Sequence, residues 1–264
     1  MEKLRFAVTD VSGLEDLQRD YGRFKDALEE VLQTDIEFYP VDNFTAAAPA
    51  LLQNQVDLVL GGPSEYVILN SRAKAVPVIG LSRPGYRAAI TVRGDSNIKS
   101  LSQFQGKTIA MRSQGSTAGH LGPTKIFLDA GLKPNSDYKT IMLGDRGMEA
   151  LKKGEVDACG LSTFYYENFL LSEGVSEQKY PLIATGPFLP SDVFVVNSQF
   201  NRDFARLMKE QMIEHQQKLK QALISSSQFL FHKFNKSKLI SVKDTDYDMI
   251  REVYRALGKE ELIR

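Results

Sequence analysis

Short apolar runs alternate with stretches of helical spacing along most of this chain. Residues 4–8, 36–41, 56–60 and 76–81 are apolar or β-branched runs of strand length. Between them, residues 21–32, 44–53 and 67–73 repeat apolar positions every three or four residues. Phe24, Leu28, Val31 and Leu32 fall on one helical face, and Pro49 marks either a kink or a first turn. Strand and helix in this alternation predict a parallel sheet with helical crossovers.

The rhythm breaks at Pro84-Gly85-Tyr86 and then resumes. Strands are expected over 87–92, 107–111, 140–143, 156–161, 182–185 and 193–196. Helices are expected over 100–104, 124–130, 148–153 and 164–171. Gly186-Pro187-Phe188-Leu189-Pro190 is expected to turn the chain. From there the spacing is mostly helical: one long amphipathic helix over 204–224, a short one over 229–234 and a last one over 246–257. The expectation is an α/β protein of two lobes. Residues 1–91 with 194–264 form one, 92–193 form the other, and two extended crossovers lie near 86–93 and 188–196. In open α/β sheets ligands bind beyond the carboxyl ends of the strands, so a cleft between two such lobes is the expected site.

Charge and chemistry narrow the function. Lysine plus arginine equals aspartate plus glutamate, so no net field draws nucleic acid or an anionic membrane. The single cysteine, Cys159, forbids an internal disulfide and sits in an apolar strand, as a buried inert thiol does. His120, His215 and His232 are dispersed and lack metal-site spacing. No Gly-x-Ser-x-Gly elbow, Gly-x-Gly-x-x-Gly fingerprint or phosphate-loop lysine is present. No apolar run reaches the ~18 residues of a membrane span. Met1-Glu2-Lys3 leads directly into a strand, without a signal peptide; taken literally, that start points to the cytoplasm.

Gln114-Gly115-Ser116-Thr117-Ala118-Gly119-His120, between a strand and a helix, is the richest stretch. First-turn N–H groups have no partner inside a helix and carry the positive end of its dipole. Ser116 and Thr117 add hydroxyls, and glycines let the backbone approach a bound group. Two readings stand: an anion site, or simple capping by Ser116 or Thr117. His120 faces the ligand or packs. Phe44, Tyr66, Tyr86, Tyr165 and Tyr166 either fill the core or wall a small pocket.

The ordered set Val56-Asp57-Leu58-Val59-Leu60-Gly61-Gly62-Pro63 with Tyr66, Pro84-Gly85-Tyr86, Ser100-Leu101, Gly106-Lys107, Gly115-Ser116-Thr117-Ala118-Gly119 and Gly154-Glu155-Val156-Asp157-Ala158 resembles a known family. That family is the phosphate/phosphite/phosphonate-binding proteins of ABC transporters, with the type II periplasmic-binding-protein fold, over nearly the full chain. The resemblance implies a substrate-binding protein, without catalytic residues, metal or cofactor. It implies a monomer, periplasmic or membrane-tethered outside the cytoplasm, with a small phosphorus oxyanion as ligand and a membrane permease as partner. Ser116, Thr117 and Tyr86 match the family's ligand donors. Ala118 replaces a frequent third hydroxyl, and Phe44 falls where phosphonate binders often carry tyrosine. His120, Ser64, Thr163 and Asp145 complete the candidate ligand set. Because the loop after 156–161 offers Ser162, Thr163 and aromatics where aminoalkyl-phosphonate binders of the family carry acidic residues, the chain is expected to take phosphite or methylphosphonate rather than an aminoalkyl phosphonate. Two other classes stay open. One is a cofactor-biosynthesis enzyme on the same fold, using Asp145, Glu65 or His120. The other is a cytoplasmic ligand-sensing module.

Overall fold

The computed structural model describes residues 3–42 and 46–264. They form two compact units: those up to residue 84 with 190–248 and 260–264 in the first, 85–189 and 249–259 in the second. Chain order is β1 (Lys3–Val8), α1 (Leu14–Leu32), β2 (Asp35–Phe38), α2 (Ala47–Leu52), β3 (Leu58–Gly61), α3 (Pro63–Ala73) and β4 (Ala75–Leu81). The second unit follows with β5 (Arg87–Val92), β6 (Thr108–Met111), α4 (Gly122–Asp129), β7 (Lys139–Met142), α5 (Gly147–Lys153), β8 (Ala158–Ser162), α6 (Thr163–Glu173) and β9 (Leu182–Phe188). The chain then returns through β10 (Asp192–Asn197), α7 (Arg202–Glu214), α8 (Gln216–Ile224), α9 (Gln228–Phe234) and β11 (Leu239–Ile240), and ends with α10 (Asp248–Ala256). No helix among the described residues is long and apolar enough to cross a membrane.

The first unit is built on a six-stranded sheet, order β11-β4-β10-β3-β1-β2. β1 pairs in parallel with β2 and β3, whereas β10 inserts antiparallel between β3 and β4. Phe6, Phe24 and Phe194 meet in its core at ring-centroid distances of 5.8–6.2 Å. Met208, Met212, Leu219 and Leu223 pack on the same cluster from α7 and α8. The expected single helix over 204–224 is broken at His215, whose φ of −100° and ψ of 20° are not helical. The bend lets the apolar stripes of α7 and α8 both reach one core. Helix α1 starts at Leu14, earlier than expected, because residues 14–20 are mostly polar and bury little beyond Leu17. Pro49 lies in the first turn of α2, where a missing N–H costs nothing. The expected start of that helix, Phe44, lies outside the described residues.

The second unit has a five-stranded sheet, order β7-β6-β8-β5-β9. Alternate residues of its strands supply two cores. Ile109, Met111 and Ala158 join Phe104, Phe127 and Tyr138 on one face, while Ala110 and Cys159 join Met148, Leu151 and Tyr166 on the other. Residues 87–91, expected in the first lobe, pair with β8 and β9 and so belong to this sheet. Residues 249–259 also pack here: Met249 lies on this core and Lys125 pairs with Glu252 at 3.5 Å. Strand periodicity reports which residues are buried, not which sheet buries them. β9 runs through Gly186-Pro187, where a turn was expected, since an edge strand tolerates proline.

Candidate functional site

Beyond β6, the chain makes a turn held almost entirely by its own backbone. The N–H groups of His120 and Leu121 both donate to the Ser116 carbonyl at 2.9 Å, and the Gly122 N–H donates to the Thr117 carbonyl. The bonds from Leu121 and Gly122, each reaching five residues back, make Thr117–Leu121 one π-helical turn that runs directly into α4. The expected helix at 124–130 therefore begins inside the glycine-rich motif. Gly115, at φ 82°, takes a conformation other residues resist. Two glycines seat the turn against the sheet. A Cβ on Gly119 would stand 2.5 Å from Arg112 Cβ, and one on Gly122 2.6 Å from Ala88 Cβ. Ser116 Oγ accepts from the Gly119 N–H at 3.3 Å, and the Arg112 N–H donates to the Gly119 carbonyl at 2.9 Å. Ser116 thus caps the turn.

His120 is buried within this turn, and its Nδ1 accepts from the Gly115 N–H at 3.0 Å. Burial lowers its pKa from 6.5 to about 4, which leaves a neutral ring protonated on Nε2. The consequence for stability has a definite sign. The unfolded chain takes up this proton first as pH falls, so stability declines from about pH 6.5 to about 4. We expect a contribution on the order of 3 kcal/mol, lost over that window. Urea midpoints at pH 7 and 4 should differ less in His120→Gln than in the wild type; an unchanged difference would place the imidazole in solvent.

The sheet register gathers other candidates at the same edge. β6 and β8 are parallel, and Ala88 of β5 faces Ser162 of β8. The start of β5 and the ends of β6 and β8 therefore coincide. Ser162 caps α6 by accepting from the Tyr165 N–H at 3.1 Å, and the Thr163 hydroxyl turns to the Gly85 carbonyl at 3.4 Å. Tyr86 is half-buried against the core, and its carbonyl accepts from the Leu189 N–H. Asp145, exposed, pairs with Arg112 at 2.9 Å, and the Tyr165 hydroxyl donates to the Asp145 carbonyl at 3.0 Å. Ser116, Thr117, Ala118, His120, Tyr86, Thr163 and Asp145 thus share one edge of one sheet. Ser64 lies in the first unit, buried in the first turn of α3, and donates to Glu65 Oε2 at 2.9 Å. Burial raises the Glu65 pKa against the hydrogen bonds that lower it. Of the aromatics left open between core and wall, Tyr66 and Tyr166 are core. The Tyr66 hydroxyl donates to Asp244 at 2.6 Å beneath Tyr247, and the Tyr166 hydroxyl donates to the Tyr180 carbonyl at 2.7 Å. Burial pushes the Cys159 thiol up to about 12, so it is no nucleophile at neutral pH.

A family model described as "ABC transporter, phosphonate, periplasmic substrate-binding protein" matches residues 6–247. The chain belongs to this family. The phosphate-import protein PhnD of Mycolicibacterium smegmatis is 21% identical, over 98% of this chain and 87% of the relative. The probable phosphite-binding protein PhnD1 of Prochlorococcus marinus is 23% identical, over 92% of this chain and 86% of its own. Among solved structures, PhnD1 of P. marinus in complex with methylphosphonate aligns with TM-score 0.70 at 21% identity, covering 98% of this chain and 99% of that one. XAC2383 from Xanthomonas citri bound to ATP aligns with TM-score 0.79 at 17% identity, covering 99% and 98%. The fold is periplasmic-binding-protein-like, and the protein is a substrate-binding component of an ABC importer, not an enzyme. A small-molecule ligand and a membrane permease are its family's partners.

This phosphonate-family member also carries a charged cluster that sequence reading missed. Lys233 Nζ of α9 lies 2.8 Å from Asp10 Oδ2 and 2.9 Å from Asp192 Oδ2, and Arg83 Nη1 lies 3.6 Å from Asp192 Oδ1. Tyr21 donates to Asp10 at 3.1 Å. Burial alone would raise the Asp10 pKa, but the charge and hydrogen bond of Lys233 bring it below its usual value. Burial works against the Lys233 charge too, and the two carboxylates more than offset it, so its pKa rises. Asp10 and Lys233 are 223 positions apart, and no local pattern links them.

Proposed function

We propose that the turn at Ser116–His120 holds a small phosphorus oxyanion, phosphite or methylphosphonate before phosphate or larger phosphonates. What supports this most is the π-helical turn capped by Ser116, which runs directly into α4 and so sets two hydroxyl-bearing residues at the positive end of a helix, where an anion is favoured. Ser116 and Thr117 supply hydroxyl donors and Ala118 a backbone donor. Tyr86, Thr163 and Asp145 border the group, and His120 holds the loop. Ser64 of the first unit and Phe44, which lies outside the described residues, stay in the candidate set through the family resemblance alone, which also implies closure on the ligand by hinge motion. An apolar Phe44 and an Ala118 without a hydroxyl favour a ligand with fewer acceptor oxygens, since an unpaired buried polar group is costly. On this reading the protein works as a monomer, in the periplasm or tethered outside the membrane, and delivers its ligand to the permease.

A thermal-shift screen against phosphite, methylphosphonate, aminoethylphosphonate, phosphate, hypophosphite, sulfate and ATP tests it. A ligand at about 100 times its Kd should add about 2.7 kcal/mol, visible as a rise of several degrees. Phosphite and methylphosphonate should shift the melt most at equal concentration. Stabilisation by ATP or sulfate alone would overturn the assignment.

A further inference from the structure

We propose that Arg112 is a specificity-determining residue: its guanidinium is the charged donor to the phosphorus oxyanion at the Ser116–His120 turn, and Asp145 is the carboxylate with which the ligand competes for it. The inference rests on the reading of that turn as the anion site and adds to it a cation that hydroxyls and N–H groups lack. Every residue it involves belongs to the second unit.

The placement is set by the end of β6. Arg112 follows Met111 directly; its N–H donates to the Gly119 carbonyl at 2.9 Å, and its carbonyl accepts from the Gly144 N–H at 2.7 Å. One backbone position thus joins the π-helical turn to the loop that carries Asp145. The side chain then runs along the turn. A Cβ on Gly119 would meet Arg112 Cβ at 2.5 Å, Ser116 Oγ at 3.0 Å and Arg112 Cδ at 3.3 Å. The stem of Arg112 and the Ser116 hydroxyl therefore lie side by side over this glycine.

Beyond the stem, two contacts orient the guanidinium. Nη2 pairs with Asp145 Oδ1 at 2.9 Å, and Cζ stands 5.8 Å from the centre of the Tyr165 ring. Tyr165 donates its hydroxyl to the Asp145 carbonyl at 3.0 Å, so the ring and the carboxylate support the guanidinium together. A group held in this way is planar, permanently charged and forked, the form that matches two oxygens of a phosphorus centre. Its present partner holds it weakly. The ion pair sets one nitrogen against one oxygen, and the side chains are 54% and 70% exposed. An exposed pair of this kind contributes little, so an anion resting beside Ser116 can take the guanidinium from Asp145. His120, within the same turn, is neutral at pH 7 and cannot supply the charge.

Calorimetry of phosphite and methylphosphonate on wild type, Arg112→Met and Asp145→Asn tests the proposal, because the two substitutions break the same ion pair but remove opposite charges. Arg112→Met keeps a stem over Gly119 and should weaken binding by about tenfold or more, the loss of a hydrogen bond from a charged group. Asp145→Asn frees the guanidinium and removes a charge of the ligand's own sign. It should bind as tightly as wild type or up to about fivefold more tightly. A pair that serves only as a clasp between the turn and the loop would weaken binding in both variants together. Both side chains are exposed, so both variants should melt close to wild type. A smaller loss in Arg112→Met, or any loss in Asp145→Asn, overturns the role of Arg112. Failure of wild type to bind either ligand overturns the reading of the turn itself.

Discussion

Ser116→Ala combined with Thr117→Val is expected to weaken phosphorus-oxyanion binding by about 10²–10⁴-fold, with the fold retained. Each hydrogen bond to a charged ligand is worth roughly 1.5–3 kcal/mol, and the two hydroxyls are the side-chain donors this reading gives to the ligand. The two halves of the double mutant differ in kind. Thr117→Val keeps the shape of a buried side chain and removes its hydroxyl, so its effect should appear in affinity. Ser116→Ala also removes the acceptor of the Gly119 N–H, and an N-cap lost to alanine costs roughly 0.5–2 kcal/mol of stability. Isothermal titration of each variant, paired with a melting curve, separates the two contributions. If the double mutant binds with wild-type affinity, the turn is a cap and not a binding site.

Phe194→Ala should produce the largest loss of stability, about 3–5 kcal/mol. The ring is fully buried on β10 and touches both Phe6 of β1 and Phe24 of α1, at centroid distances of 6.2 and 5.8 Å. No neighbour can move into the space without abandoning another contact, so a cavity remains. For a domain of this size the melting temperature should drop by roughly 6–20 °C. Scanning calorimetry would record it as a lower first transition if the two units melt separately. A change under about 1 kcal/mol would mean that β10 does not run through the centre of this core.

Both experiments probe features that were legible to different degrees. The Ser116–Thr117 motif stands out locally, because Gly, Ser and Thr between a strand and a helix carry their own conformational meaning. Even so, its geometry was not readable. A π-helical turn depends on Gly119 and Gly122 resting on Arg112 and Ala88, and Ala88 lies in a strand remote in sequence. The division of the chain shows the same limit. The apolar run at 87–92 announces a strand, but its partners at 158–162 and 182–188 settle its sheet. Helices α7 and α8 read as one because their apolar spacing continues across His215, where only the backbone reveals the bend. Tyr66 and Tyr166, at loop–helix junctions, were equally compatible with the core and with a pocket wall. Their hydroxyl partners, Asp244 and the Tyr180 carbonyl, are what commit them to the core.

The amino-acid order by itself determined the alternation of strands and helices, the α/β class, the lack of a net field and the glycine–hydroxyl motif, and its motifs pointed to the family. These depend on periodicity and composition, which act over a few residues or over the whole chain at once. Tertiary structure alone decided that β10 divides β3 from β4, that residues 87–92 join the second sheet, and that Lys233 lies between Asp10 and Asp192. Those are pairings across tens to hundreds of positions. Hydrogen bonds and ion pairs of that span leave no local trace, because each partner's own neighbourhood is compatible with many others.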